Sequence, residues 1–297
     1  MIDLNSLDQE PFNPPLIGVG LRHAHYEDVL TQEWPVDFLE VHSENFFSMG
    51  AAREYLKRVS KTYPISLHST ALGLGSESAI KESYLESLQA LIEDIDPMMV
   101  SDHASFSCGD IAVDSVHIGD LLPIAFNENA LRVMADNVNK VQNRLSIRLK
   151  IENLSAYLVP SGSTMSECEF LVRLVELTGC ELLVDLNNLV VNAHNFSDPP
   201  DFSALDYGKN WLSKIPTDMV GEFHLAGFSA VEIGEIAIDD HSQPVSEVVW
   251  QLYEFALKRF GSVATLIEWD NHLPSWQGLL QEVQKARDIA KRVLSHD

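Results

Sequence analysis

The amino-acid sequence predicts an α/β fold, a single (β/α)₈ TIM barrel, on the strength of three observations. Short apolar runs alternate with segments of helical periodicity along the 297 residues, which favours parallel strands joined by crossover helices. Eight such runs occur, the number of strands that closes this barrel. Seven of them end in His, Asp or Glu, and the carboxyl ends of barrel strands meet at one face.

The length and the composition limit the number of domains and the cellular location that are expected. A length of 297 residues suits one barrel, so we expect a single domain over residues 1–297 with an extended lead-in over residues 1–15. No run approaches the roughly 18 uninterrupted apolar residues of a membrane span, and the first residues lack the basic and apolar regions of a signal peptide. We therefore expect a cytoplasmic protein without a membrane partner.

The charge balance and the cysteines exclude several classes of protein. With 20 Lys+Arg against 44 Asp+Glu, the formal net charge is -24, whereas nucleic acids and anionic membranes require a cationic surface. Bound cations would offset part of this negative charge. Because Cys108, Cys168 and Cys180 form no Cys-x-x-Cys pair, we expect reduced thiols rather than a disulfide framework or a zinc ribbon.

The eight predicted strands are short apolar runs bounded by turn-forming or charged residues. In chain order they cover residues 16–21, 37–42, 65–68, 98–103, 148–152, 182–185, 220–224 and 264–268. The fifth shows the alternation most clearly, because Leu149 and Ile151 alternate with Lys150 and Glu152. Glu152 is thereby placed at the carboxyl end of a strand.

Helical spacing and capping residues predict the intervening helices. They are a short helix after His25, helices over about residues 51–62, 79–95, 128–142, 166–178, 244–260 and 275–294, and a loosely helical segment over residues 202–215. The helix over 79–95 stops at Asp96-Pro97, and Gly179 closes the helix over 166–178. Residues 104–123 are predicted to form a long loop.

An open, doubly wound sheet is the alternative arrangement of the same alternating pattern. Such sheets commonly carry Gly-x-Gly-x-x-Gly after the first strand or a phosphate loop. The sequence contains neither motif at that position, so the closed barrel is favoured.

Nine side chains near the predicted strand ends form a candidate metal site. They are His68, His103, Glu152, Asp185, Asn188, His224, Asp239, His241 and Glu268. A lone His at a strand end is usually structural, but four carboxylates and four imidazoles in one barrel mouth would be costly to desolvate without cations. The spacing of Asp185 with Asn188, and of Asp239 with His241, allows both members of each pair to face one site, with Asp240 pointing away to solvent.

Carboxylate and imidazole ligands without thiolate suit iron, manganese or zinc, and nine groups are too many for one ion. We therefore expect two or three ions, with a carboxylate such as Glu152 as a bridge. Further polar residues near the strand ends either support the site or have ordinary capping and hydrogen-bonding roles. These residues, whose roles stay open, are His25, His42, His194, Glu40 and Glu44, and Arg22 could pair with one of the acids that follow the second strand.

The ordered motifs resemble those of the multinuclear non-haem iron oxidases, (β/α)₈ enzymes that modify cysteines in ribosomally made peptides and include a methanobactin-maturing enzyme. The similarity runs from about residue 16 to residue 274. Its motifs are Gly-Val-Gly-Leu-Arg-x-x-His-Tyr, Phe-Leu-Glu-Val-His-Ser-Glu-Asn, Ser-Leu-His68, Val-Ser-Asp-His103, Ile-Glu152-Asn, Val-Asp185-Leu-Asn-Asn188, Phe-His224-Leu-Ala-Gly, Asp239-x-His241 and Ile-Glu268-x-Asp. The sequence departs from many members after His103, where Ala-Ser-Phe106 replaces a motif with Trp.

This resemblance implies a ligand set, in which Glu152, Asp185 and His224 are also the catalytic residues. It implies one iron held by His68, His103 and Glu152, a second held by Glu152, Asp185, His224 and Glu268, and a third served by Asn188, Asp239 and His241. Zinc or manganese are expected substitutes.

The resemblance also implies the reaction and its partners. Iron in mixed valence would use dioxygen to convert a cysteine of a precursor peptide to an oxazolone and thioamide or a related heterocycle. A small partner protein that recognises the peptide leader would form a heterodimer with this chain.

Two other classes of function compete with this one. A metal-dependent barrel hydrolase or isomerase, such as a sugar isomerase or an abasic-site endonuclease, would use a similar metal set, although the charge of -24 disfavours binding to DNA. A non-catalytic metal-binding or scaffolding protein is the third class. It does not account for mixed oxygen and nitrogen ligands gathered at the catalytic end of a barrel.

Overall fold

The structure is a computed structural model that describes residues 14–111, 114–196, 203–229 and 235–295, with the backbone alone for residues 108–111 and 114–120. The predicted lead-in over residues 1–15 therefore lies outside the described residues, except for its last two. The side chain of Cys108 also lies outside them. Cys168 and Cys180 are buried free thiols.

Eight parallel strands close into a barrel, which confirms the predicted fold. The strands of the described residues are β1 (Ile17–Gly20), β2 (Phe38–His42), β3 (Ile65–His68), β4 (Met99–His103), β5 (Ser105–Ile111), β6 (Asp114–Pro123), β7 (Lys150–Glu152), β8 (Glu181–Asp185), β9 (Val220–Leu225) and β10 (Ala264–Ile267). The barrel order is β1-β2-β3-β4-β7-β8-β9-β10, and β10 pairs with β1. Each barrel strand lies within two residues of its predicted bounds.

Helices connect the strands and cover the outside of the barrel. The α-helices of the described residues are α1 (Tyr26–Thr31), α2 (Ala51–Val59), α3 (Glu82–Ile95), α4 (Glu128–Leu145), α5 (Glu167–Thr178), α6 (Leu186–Phe196), α7 (Ala204–Ser213), α8 (Glu247–Phe260) and α9 (Trp276–Leu294). Side-chain caps fix several starts, since Ser166, Ser246 and Ser275 each accept a hydrogen bond from the first turn of the following helix. None of the described helices combines the length and the apolar character that a bilayer span requires.

Two segments differ from the prediction. The expected loop over residues 104–123 is an antiparallel hairpin of β5 and β6, paired from Ser105 with Pro123 to Ile111 with Asp114. Polar and apolar residues do alternate at its start, but glycines and acids interrupt the pattern. The segment after Asp185, for which no helix was predicted, is α6. This helix forms although Asn187, Asn188 and Asn192 are poor helix formers, because eight of its residues are buried.

The two ends of the barrel interior differ in polarity. Phe38, Met99 and Leu266 form a small apolar cluster, separate from the main core between strands and helices. Because side chains of a strand alternate between its faces, Glu40 and Glu268 lie on the same inward face as Phe38 and Leu266, closer to the carboxyl end. The apolar cluster therefore closes the amino end and leaves the carboxyl end for polar groups.

Candidate metal centre

The barrel brings the nine predicted side chains together at the carboxyl ends of its strands. His68, His103, Glu152 and Asp185 are the last residues of β3, β4, β7 and β8. The strand register sets His103 beside Glu152 and Asp185 beside His224. Seven of the nine line a cavity of about 210 Å³, namely His68, His103, Glu152, Asn188, Asp239, His241 and Glu268. The other two contact this set from below.

The first donor group consists of two imidazoles and one carboxylate. Nε2 of His68 lies 3.4 Å, and Nε2 of His103 3.3 Å, from the same oxygen of Glu152, Oε2. A hydrogen bond of 2.7 Å between His68 Nδ1 and Ser101 Oγ orients the His68 ring toward that oxygen. All three groups are buried, and their donor atoms lie within 4.8 Å of one another.

The second donor group shares Glu152. Nδ1 of His224 lies 3.8 Å from Glu152 Oε1 and 2.9 Å from Glu268 Oε2. Asp185 has a carboxylate oxygen within 4.8 Å of donor atoms of Glu152 and His224. The two oxygens of Glu152 thus face two different groups, which is the arrangement that a bridging carboxylate requires.

The third donor group surrounds His241. Its Nε2 lies 2.7 Å from Asp239 Oδ1 and 3.9 Å from Asp185 Oδ2, and its Nδ1 lies 3.5 Å from Glu268 Oε2. Asn187 donates a hydrogen bond of 2.8 Å to Asp239 and fixes its orientation. The i, i+2 pair of Asp239 and His241 therefore faces one site.

Hydrogen bonds orient Asn188 and Asp240 in opposite ways relative to the site. The backbone N–H of Asn188 donates to Asp185 Oδ1 at 2.7 Å, and its side-chain amide donates to the carbonyl of Asn153 at 3.0 Å. Its Oδ1 consequently points toward the cavity. Asp240 points away from the site, but it accepts two hydrogen bonds from Ser229 instead of facing only solvent.

Asp270 was not predicted as a site residue, and Arg22 has partners other than those expected. Arg22 donates to Asp270 Oδ1 at 2.6 Å and to Glu268 Oε1 at 3.3 Å, whereas pairing with an acid after β2 was expected. Asp270 Oδ2 also lies 3.2 Å from His241 Nδ1. The Ile-Glu-x-Asp motif contained the signal, because Asp270 has the same i, i+2 spacing from Glu268 that singled out Asp239 and His241.

Two buried acids lie behind His224. Glu40 Oε1 and Glu222 Oε1 lie 3.5 Å and 3.9 Å from its Nε2, the ring nitrogen that faces away from Glu152. Ser66 donates to the other oxygen of Glu40 at 2.9 Å. Glu222 was not predicted, although it precedes His224 by two residues and so shares its side of β9.

Three of the residues with open roles are not part of the cluster. Glu44 accepts hydrogen bonds from the Thr70 backbone N–H and from the Tyr84 hydroxyl, and so anchors a loop. His25 bonds to the carbonyl of Pro274, and the His194 ring packs on Phe228. His42, in contrast, lines the metal-site cavity beside Arg22 and Asp270.

Burial strongly shifts the titration of these groups. It raises the pKa of Glu152 to about 8 and that of Asp185 to about 7. Burial also lowers the pKa of the His68 imidazole well below its usual range, and His103 and His224 lower it further. Burial alone would raise the pKa of Glu268, but His241 and His224 hold it well below its usual range.

The donor atoms fit metal ions. Glu152 Oε2, Asp185 Oδ2 and Asn188 Oδ1 are buried and have no hydrogen-bond partner within the described part of the chain, although imidazole nitrogens lie near the two carboxylates. Buried polar atoms without partners cost free energy, and bound cations would satisfy these three. The buried His, Glu and Asp clusters could therefore bind metal ions.

Comparisons with known proteins identify the family of this chain and agree with its fold. A model of the family described as "RiPP precursor modification enzyme MbnB/TglH/ChrH" matches residues 16–291. A UPF0276 protein of Vibrio parahaemolyticus is 44% identical over 282 residues, with 94% of each chain covered. A UPF0276 protein of Acaryochloris marina is 39% identical over 269 residues, with 91% of this chain and 92% of its own covered.

Solved structures with the same fold are more distant. Endonuclease IV from Thermus thermophilus has a TM-score of 0.58 at 14% identity, covering 94% of this chain and 100% of its own. A D-psicose 3-epimerase from Clostridium cellulolyticum has a TM-score of 0.57 at 10% identity, covering 94% of this chain and 99% of its own. At these identities the likeness supports the barrel fold alone.

Proposed function

We propose that this chain, which belongs to the MbnB/TglH/ChrH family of RiPP precursor modification enzymes, uses iron and dioxygen to oxidise a cysteine of a ribosomally synthesised precursor peptide. The observation that carries the proposal is the carboxylate of Glu152. One of its oxygens faces His68 and His103, and the other faces His224, so it can serve two ions at once. A reaction that needs several electrons benefits from more than one redox ion in one cavity.

The proposed ligands follow the three donor groups. The first ion would be held by His68, His103 and Glu152, and the second by Glu152, Asp185, His224 and Glu268. The third would be held by Asn188, Asp239 and His241, of which Asp239 and His241 lie 2.7 Å apart. When bound, iron supplies electron exchange with dioxygen, which zinc in the same donors does not. Manganese and zinc prefer similar donors, so their presence in purified protein would not contradict the proposal.

Residues around the ligands hold them in place. Arg22 fixes Glu268 through Oε1, which leaves Oε2 facing His224 and His241. Asn153 joins the ends of β7 and β8, because its side chain accepts from the N–H of Asp185 and donates to its carbonyl at 2.9 and 3.1 Å. These contacts set the separation of Glu152 and Asp185 before any ion binds.

The cavity above the donors suits a small thiol side chain. The cavity has a volume of about 210 Å³. Thr70, Leu121, Leu154 and Tyr157 line it in addition to the donor groups. Asp270 at its edge stays ionised, because Arg22 outweighs the effect of burial and lowers the pKa of this acid to about 2. The charge of Asp270 is thus balanced by Arg22, and Leu121, Leu154 and Tyr157 offer contact to an uncharged side chain such as a thiol.

The proposal includes the partners implied by the family. The substrate is a cysteine-containing precursor peptide, its product an oxazolone and thioamide or a related heterocycle, and a small leader-recognition protein forms a heterodimer with this chain. We expect the reaction in the cytoplasm, where the precursor is synthesised.

The test is a mass measurement on the peptide. Iron-loaded protein is incubated with a precursor peptide encoded beside its gene, and with a leader-recognition partner if one is encoded there, with and without oxygen. We expect a mass change only in the aerobic sample, lost when the peptide cysteine is replaced by serine and when zinc replaces iron. Equal turnover by the zinc form without oxygen would instead support a hydrolase or an isomerase.

A further inference from the structure

Large apolar side chains are exposed together on one part of the barrel rim. Of eleven such side chains in the described residues, six lie in three segments at the carboxyl end of the strands. These six, called here the apolar rim, are Tyr157, Leu158, Val159, Phe196, Ile236 and Ile238, and they are 40% to 70% exposed. The other five lie on separate elements, so the clustering at the rim is specific to this surface.

Hydrogen bonds join the three segments into one surface. The side-chain amide of Asn195 donates to the carbonyl of Ala156 at 3.3 Å and to that of Ala237 at 3.1 Å, and its oxygen accepts from the N–H of Ala237 at 2.9 Å. The Tyr157 hydroxyl accepts from the N–H of Asp239 at 3.1 Å. The apolar rim is thus held in register with Asp239, one of the proposed metal ligands.

A second cavity opens at this rim. Its volume is about 150 Å³, and Leu158, Val159 and Phe196 line it together with the deeper Ala104 and Phe126. Most of its surface is apolar. The one charged side chain in its described lining, Glu167, already accepts a hydrogen bond of 2.7 Å from the Trp211 indole, and burial raises the pKa of this acid to about 7. The cavity therefore offers apolar contact and no unpaired ionic group.

The two cavities share a wall. Leu154 lines both of them, Ser155 and Tyr157 line the metal-site cavity, and Ala156 and Leu158 line the second. On the other side, Ala104 in the second cavity directly follows His103 in the first. Because neighbouring residues of this segment line different cavities, the wall between the cavities is one residue thick.

We propose that the second cavity and the apolar rim form a subsite for a large apolar side chain of the substrate, close in sequence to the reacting cysteine. The inference rests on the proposed function, because it takes the substrate to be a peptide. The occupant is apolar because the walls are, and it belongs to the same peptide because the wall between the cavities is thin. Burial of such a side chain would align the cysteine above the metal donors.

Binding of short peptides tests the subsite. The probes are acetylated pentapeptide amides of the form Xaa-Gly-Cys-Gly-Xaa, with Leu, Gly, Lys or Asp at both Xaa positions, titrated calorimetrically into the iron-loaded full chain without oxygen. We expect the Leu peptide to bind roughly tenfold or more tightly than the Gly peptide, since burying one leucine side chain supplies that much affinity. The Asp peptide should bind most weakly.

A matched pair of variants locates the effect. Leu158→Asp should remove the preference for the Leu peptide, whereas Leu177→Asp should keep it. Leu177 is as exposed as Leu158, at 57% against 55%, but it lies near the end of α5 at the opposite end of the barrel. Equal or undetectable binding of all four peptides, a Lys peptide that binds as well as the Leu peptide, or a preference that survives Leu158→Asp would each overturn the subsite.

Because binding is measured without oxygen, this result is separate from that of the oxidation test. A Leu preference that depends on Leu158, in a protein that fails to oxidise any peptide, would keep the subsite and remove the oxidase proposal. Oxidation of cysteine peptides at the same rate whatever their neighbouring residues would keep the oxidase proposal and remove the subsite.

Discussion

Nδ1 of His224 lies 3.8 Å from Oε1 of Glu152, and Nε2 of the same ring faces two further buried acids on the opposite side. The imidazole is therefore enclosed by carboxylates on both sides. Because the other oxygen of Glu152 faces His68 and His103, the position of this one carboxylate determines whether the first and the second donor group form one cluster or separate sites.

Replacement of Glu152 should remove more than one metal ion per chain. In Glu152→Ala both the first and the second donor group lose a ligand, so elemental analysis should show a loss greater than that from His103→Ala, which affects one group. Glu44→Gln is the control, since its carboxylate bonds to Thr70 and Tyr84 outside the cluster. Full metal retention in Glu152→Ala would remove Glu152 from the site.

Metal affinity should rise with pH between about 6 and 8. The pKa values of about 8 for Glu152 and about 7 for Asp185 mean that the metal-free protein holds protons there, which an ion must displace. Each displaced proton adds about a factor of ten in affinity per pH unit below the pKa. Competition of the protein with a chelator for Zn²⁺, at several pH values, measures the slope. An affinity independent of pH would show that these carboxyls are already ionised.

The metal-free protein should lose stability as the pH rises from about 6 to 9. A carboxyl whose folded pKa is above its unfolded value favours folding less as the pH passes from its unfolded to its folded pKa. Burial alone would lower the pKa of His103, but the nearby carboxylates of Glu152 and Asp102 outweigh burial and raise this pKa to about 9. The contribution of His103 to stability is therefore also lost in this pH window. Each extra proton retained by the folded state accounts for about 1.4 kcal/mol per pH unit.

Urea unfolding at pH 6, 7.5 and 9 measures this trend. Saturating Zn²⁺ should reverse it, because the bound ion replaces the protons. The Glu152→Gln variant should show a shallower decline than the unaltered protein. A metal-free protein more stable at pH 9 than at pH 6 would contradict the assigned shifts.

Loss of the Arg22 cation should destabilise the protein strongly. Its ion pairs with Glu268 and Asp270 are largely buried, with the Arg22 side chain 11% exposed, and breaking such a pair leaves an uncompensated charge. We expect Arg22→Ala to lower the free energy of unfolding by about 3 kcal/mol or more. Arg287→Ala removes the more exposed pair with Asp37 and should cost about 1 kcal/mol or less.

Denaturant unfolding of both variants, with and without Zn²⁺, provides the measurement. The difference between them should shrink in the presence of the ion, because a bound cation also compensates Glu268. Equal stability of the two variants without metal would show that Arg22 is not needed to balance the acids.

Much of the fold and of the site could be predicted from local sequence patterns. Short apolar runs identified the eight barrel strands, and the His, Asp or Glu at the end of most of them identified the side chains at the carboxyl end of the barrel. The same patterns did not reveal the hairpin of β5 and β6 or the helix α6. In both segments local propensity is weak, and contacts with distant residues stabilise the observed structure.

The sequence by itself thus determined which side chains lie at the catalytic end of the barrel, because strand direction and alternation are local properties. Only the tertiary structure decided which atoms face one another. Contacts between strands that are distant in sequence determine the partners of Arg22 and place Glu40 behind His224. They also determine that the two oxygens of Glu152 face different donor groups. The thin wall between the two cavities depends on them too, since closure of the barrel and the register of its strands set the distances across it.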